Sequence, residues 1–166
     1  MRAEFAIGFV SGLRTFTAPA IISHAASHSR GTFGFEGSPL RFLASRKSAN
    51  IFALLAAGEI IADKLPHTPA RTAPGPLTAR ILSGSLCGAA LSSAKRRRAF
   101  GGCVVGALGA VIGACAGYQL RKRITHSKIA KVPDLPVALI ENAIALGGAY
   151  CVLRSLSAKD QQLLAP

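Results

Sequence analysis

The stretch "GCVVGALGAVIGACAG", residues 102–117, decides how this chain is read. Gly102, Gly106, Gly109, Gly113 and Gly117 recur at spacings of 4, 3, 4 and 4, so on a helix they share one face. Lipid tails are as apolar as leucine, so helices in a bilayer gain nothing by hiding leucine from them. They associate by close backbone approach, which glycine permits. Gly8 and Gly12, and Gly84 and Gly88, repeat the four-residue spacing elsewhere in the chain. The pattern predicts a tightly packed helical bundle with the 99–120 helix near its centre. A homodimer seam along the same glycine face is the alternative use.

Outward from this stretch, the chain is 50% hydrophobic with no Trp, and its apolar residues gather in five blocks near 4–26, 49–65, 77–94, 99–120 and 135–156. A helix needs about 20 apolar residues to cross the hydrocarbon core. The expectation is therefore an all-α integral membrane protein of about five transmembrane helices, forming a single transmembrane helical domain over residues 1–166. The bilayer itself is the first expected partner.

The net charge of +13 would suit nucleic acid, but the cations sit at block edges, as in Lys95-Arg96-Arg97-Arg98 and Arg121-Lys122-Arg123. Membrane-flanking anchors have that placement. No aromatic platform or recognition motif accompanies them, so a nucleic-acid partner is excluded. Cys87, Cys103, Cys115 and Cys151 stand singly in apolar blocks and read as small buried hydrophobes. His24 and His28 share a helix face without a third ligand, so neither a metal site nor another cofactor is expected. Glu4 and Arg14 interrupt the first block, which therefore reads as retained rather than as a cleaved signal.

Within that block, Thr17-Ala18-Pro19 is a helix-start signature, because Pro is tolerated in a first turn. One helix would end near Arg14 and another begin near Ala18, with the helix broken near 14–18; a simple Pro kink is the alternative. The 30–48 stretch reads as a connector, and "HTPARTAPGP" (67–76) as an extended loop.

An ionisable side chain at the bilayer centre costs about 2.5–3.5 kcal/mol on insertion scales, so Arg14 needs a partner or a ligand. Glu59 and Asp63 share a helical face in the second block, and Glu141 lies inside the fifth. The plain reading is that Glu59 or Glu141 pairs with Arg14 and pins helices. The sharper reading makes Arg14, Thr15, Thr17, Glu59, Asp63 and Glu141 a ligand-binding set. In it a half-helix beginning near Ala18 aims its free N–H groups at an anion. The elements 8–17 and 113–125 both run Gly-x-x-x-Gly, then Arg, then Thr, which suggests an inverted repeat of the first and last helix pairs.

"GLRTFTAPA" (12–20), "EIIADKLPHTPAR" (59–71), "PLTAR" and "SG" at the start of the third block, the glycine ladder ending "GY", and "PDLPVALIEN" (133–142) resemble the small bacterial membrane proteins grouped as domain of unknown function 4126. The resemblance covers about residues 5–153. It implies a multi-pass protein of the bacterial inner membrane and brings no activity with it.

Two functions follow. One is a small transporter or channel for a small anionic solute, with its polar site around Arg14 and Glu59. The other is a structural or accessory membrane protein in which these charges only hold helices together, alone or in a homo-oligomer. Catalysis is not expected: the chain has no Ser/His/Asp set and no aspartate-rich metal motif.

Overall fold

The computed structural model describes residues 1–28, 35, 38–62, 74–126 and 147–148. Among the described residues every regular element is helical. In chain order they are α1 (Arg2–Leu13), α2 (Thr17–His28), a short 3-10 turn (Pro39–Ala44), α3 (Arg46–Ala62), α4 (Pro74–Ala94) and α5 (Ala99–His126).

The glycine face organises three of these helices. A Cβ on Gly8 would collide with Gly106 O, and one on Gly12 with Ala110 O. From the other side, Gly109 and Gly113 have no room for a Cβ against the carbonyls of Phe5 and Phe9. Residue numbers rise together along this seam, so α1 and α5 run parallel. Toward α4, Gly88 meets Gly102 and Gly84 meets Gly106, where a Cβ on Gly84 would lie 2.7 Å from the Ala110 side chain. Here the numbers run in opposite senses, and α4 is antiparallel to α5. The long central helix is thus clasped on two sides by backbone, as the glycine spacing predicts.

The turn between α4 and α5 has its own helix-capping logic. Arg96 N–H donates to Ser93 O and Arg97 N–H to Ser92 O, both at 2.9 Å, which closes a Schellman motif over the end of α4. Its left-handed position is Arg96, with φ 52°. Glycine is the residue ordinarily found there. On the same end of the bundle, the buried Glu4 carboxylate accepts from Lys95 Nζ at 3.0 Å and pairs with the terminal ammonium at 2.6 Å, tying the start of α1 to this turn.

α2 and α3 form a second pair. Glu59 near the end of α3 reaches the start of α2, and the 3-10 turn preceding α3 packs along α2, so the two helices are antiparallel. Part of the expected 30–48 connector is therefore core: Phe35, Leu40 and Leu43 are buried with Ile22 and Ala26 of α2. Pro39 and the Ser38 side chain, which accepts from Leu40 N–H, start the 3-10 turn. α3 itself buries only Ala49.

Several sequence expectations change. Five full spans and an inverted repeat are not supported. The first block divides into two 12-residue helices, each about 18 Å long and too short to cross about 30 Å of hydrocarbon singly. Among the described residues α5 alone is long and apolar enough to cross a membrane, over Ala99–Leu120, 22 residues with mean hydropathy 2.0. α5 also continues helical through Arg121-Lys122-Arg123 to His126, so the 113–125 element does not repeat the break of 8–17. The fifth block lies outside the described residues except Gly147 and Gly148, which are helical; Gly148 approaches Val10 of α1.

Two stability predictions follow. Gly113→Ala must push Phe9 off α5 and should lower the melting temperature and folded yield in detergent. Gly101→Ala, which faces open space, should raise stability by about 0.5–1 kcal/mol through helix propensity alone. Equal responses of the two would contradict the packing assignment. Arg96→Gly removes a side chain from a left-handed position and should stabilise the fold by about 1 kcal/mol, read as a higher melting temperature.

Candidate functional site

The first block is broken after Leu13, and the Thr15 and Phe16 amides and the Thr15 carbonyl at the break have side-chain partners. Arg14 leaves the helix in an extended conformation, φ −141° and ψ 122°, while its N–H still donates to Val10 O at 2.9 Å. The chain turns through Thr15 and Phe16, and Ala20 N–H to Phe16 O at 3.0 Å is the first bond of the new helix. Phe16 is thus the capping position and Thr17 the first helical residue, one place earlier than the sequence signature suggests. Pro19 sits in the first turn, where it has no N–H to leave unpaired.

A helix start has N–H groups without internal partners and a positive dipole end, so it attracts negative charge. Here the negative charge comes from within the chain. Thr15 N–H donates to Glu59 Oε1 at 2.8 Å and Phe16 N–H to Glu59 Oε2 at 3.1 Å, one carboxylate oxygen for each donor. The Thr15 carbonyl in turn accepts from Ser83 Oγ of α4. Two helices, α3 and α4, are thereby tied to the three-residue gap 14–16, by bonds that a continuous helix would have supplied internally.

Around the gap the interior is polar. Arg14 is 3% exposed, and Arg80, one turn before Ser83 on the same face of α4, is 4% exposed. Thr15 and Thr17 are buried. Ser11 Oγ donates back to Ile7 O at 3.1 Å, and Cys87 lies against the side chains of both Ser11 and Ser83. A seam of small polar groups therefore runs between α1 and α4 up to the break.

Of the expected ligand set, the structure brings Arg14, Thr15, Thr17 and Glu59 together. Asp63 and Glu141 lie outside the described residues. Glu59 holds the Thr15 and Phe16 N–H groups, which immediately precede the half-helix that begins at Thr17. Ser83, Ser11 and Arg80 were not legible as site residues. Arg80 carried the signal that marked Arg14, a cation inside an apolar block, near the start of 77–94. Ser83 depends on α4 lying against the break, which no local pattern encodes.

Other candidates resolve simply. His24 and His28 stack with ring centroids 4.4 Å apart on an exposed helix end, where His28 Nδ1 lies 2.9 Å from His24 O. Among the described residues no three His, Cys, Asp or Glu side chains converge as metal ligands. Cys87, Cys103 and Cys115 are free thiols. No family model, curated protein or solved structure matches the chain. Among the described residues, what defines its class is the all-helical fold, with one helix long and apolar enough to cross a bilayer and a charged, capped break in the interior.

Removing the cap tests this geometry. Glu59→Ala leaves two amide donors without their acceptor, at about 1–3 kcal/mol each where buried, whereas Glu59→Gln retains one acceptor oxygen and should lose less. The order of melting temperatures should be wild type, then Glu59→Gln, then Glu59→Ala, with faster hydrogen exchange at Thr15 and Phe16 in the last. Unchanged exchange at those two amides would show that the cap does not hold them.

Proposed function

We propose that this chain is a multi-pass membrane protein of the transporter or channel type, with a polar site for a small anionic solute at the α1–α2 break. One observation carries the membrane reading: large apolar side chains cover the outside while cations are buried inside. Arg14 and Arg80 are buried with Ser11, Ser23 and Ser83 beside the aliphatic core, while Leu54 (73% exposed), Leu82, Phe100, Leu108 and Ile112 face outward. In water this would sacrifice the hydrophobic effect, and in lipid it is the ordinary arrangement. In this reading α4 and α5 cross as a hairpin, α1 and α2 share one passage, and the fifth block supplies a further pass. The resemblance to the domain of unknown function 4126 family and a bacterial inner-membrane location fit the same arrangement.

The break supports the solute reading. Buried arginines beside unwound backbone at membrane depth are how discontinuous helices present positive charge to anions. Glu59 would then be the internal anion that a solute displaces, and α3, which buries a single residue, the element that carries it aside.

The position of Glu59 also favours a second reading. Because its carboxylate already satisfies Thr15 and Phe16, the same residues suffice as helix glue in a structural or accessory protein. Chloride and nitrate efflux from proteoliposomes separates the two. A transporter should give flux above empty vesicles that Arg14→Gln abolishes while gel-filtration behaviour is kept. No flux from the wild type, together with lower melting temperatures for Arg14→Gln and Glu59→Gln, would leave the structural reading.

A further inference from the structure

A cavity of about 330 Å³ lies at the opposite end of α1 from the break, lined by Met1, Glu4, Ser92, Arg97, Arg98, Phe100 and the first-turn glycines of α5. We propose that it binds the phosphate headgroup of an anionic phospholipid. The inference rests on the membrane reading above but not on transport.

Three features of the cavity point to this ligand. The first is charge: Arg97 and Arg98, both exposed, are among the residues lining a pocket whose wall is otherwise largely apolar. The one carboxylate there, Glu4, is already held by Lys95 Nζ at 3.0 Å and by the terminal ammonium at 2.6 Å. The balance left for a ligand is positive, and guanidinium groups match phosphate oxygens in a planar, bidentate fashion.

The second is depth. The cavity opens where the Ala99–Leu120 stretch begins. If α5 spans the bilayer, that is headgroup level, where clustered cations between helices meet lipid phosphates. The third is amphipathic shape. Phe100, 79% exposed, stands between the arginines and the outward apolar stripe of Val104, Leu108 and Ile112, so a lipid with its phosphate on Arg97 and Arg98 lays its acyl chains along α5. A free phosphate would use the arginines but not that shelf.

The test uses the full chain in detergent micelles, with native mass spectrometry reading retained lipid. Phosphatidylglycerol should stay bound under conditions that strip phosphatidylcholine, and millimolar inorganic phosphate should not displace it. Arg97→Gln with Arg98→Gln should lose the preference, and the paired Lys substitutions should keep it. The exposed Lys122 and Arg123 at the far end of α5 provide the control. Lys122→Gln with Arg123→Gln should retain phosphatidylglycerol as the wild type does. Equal retention of the two lipids, equal loss in the control, or displacement by inorganic phosphate each overturns the proposal, and the wild-type arms decide even if a variant does not fold. Alkaline extraction of cell membranes separates the failures. A chain recovered in the soluble fraction rejects the membrane reading, whereas a membrane-held chain without lipid preference rejects only the headgroup site.

Discussion

The contact of α5's glycine face with the backbones of α1 and α4 is what the rest of the structure depends on. Gly8, Gly84, Gly88, Gly102, Gly106, Gly109 and Gly113 each stand where a Cβ would overlap a neighbouring helix. At that separation the attraction is dispersion between main chains, weak per atom pair and summed along the seam. Larger side chains have no room on the seam itself, and Leu82, Val104, Leu108 and Ile112 of α4 and α5 face outward.

A closely packed interior also constrains what happens at the break. Backbone donors and acceptors freed by ending α1 at Leu13 cannot be left buried without partners. Glu59 and Ser83 fill the need from two different helices. The cap is the polar counterpart of the glycine seam: one draws α1, α4 and α5 together by backbone contact, the other fastens α3 and α4 to the gap between α1 and α2 by directed bonds. α3, with little buried surface of its own, owes much of its placement to this carboxylate.

The two ends of α1 carry different electrostatics. At its start, Glu4 is enclosed by cations beside the basic α4–α5 turn. At its end, Arg14 and Arg80 are buried beside a backbone that takes a carboxylate. Positive charge thus occurs both at the margin of the apolar stretch, where it is exposed, and in the interior, where burial must be offset by charge-assisted bonds. The two environments support separate proposals.

The sequence by itself determined the helical class, the glycine face and the place where the first block must either break or kink. Each is written in local spacing: a 4-3-4-4 repeat of glycine, or Thr and Pro in the order that starts a helix. Periodicity of this kind records which residues share a face and where the chain cannot stay helical. It does not record which helix meets that face, so the parallel pairing of α1 with α5 and the antiparallel pairing with α4 appeared only in the fold. Local apolar length also overstated the number of spans, because it counts through a break that hydrogen-bond geometry makes. Glu59 was visible as a charge in an apolar block. That it caps Thr15 and Phe16, from 44 and 43 residues away, was decided by tertiary structure, since a hydrogen bond is set by distance and direction, and neither is carried by separation along the chain.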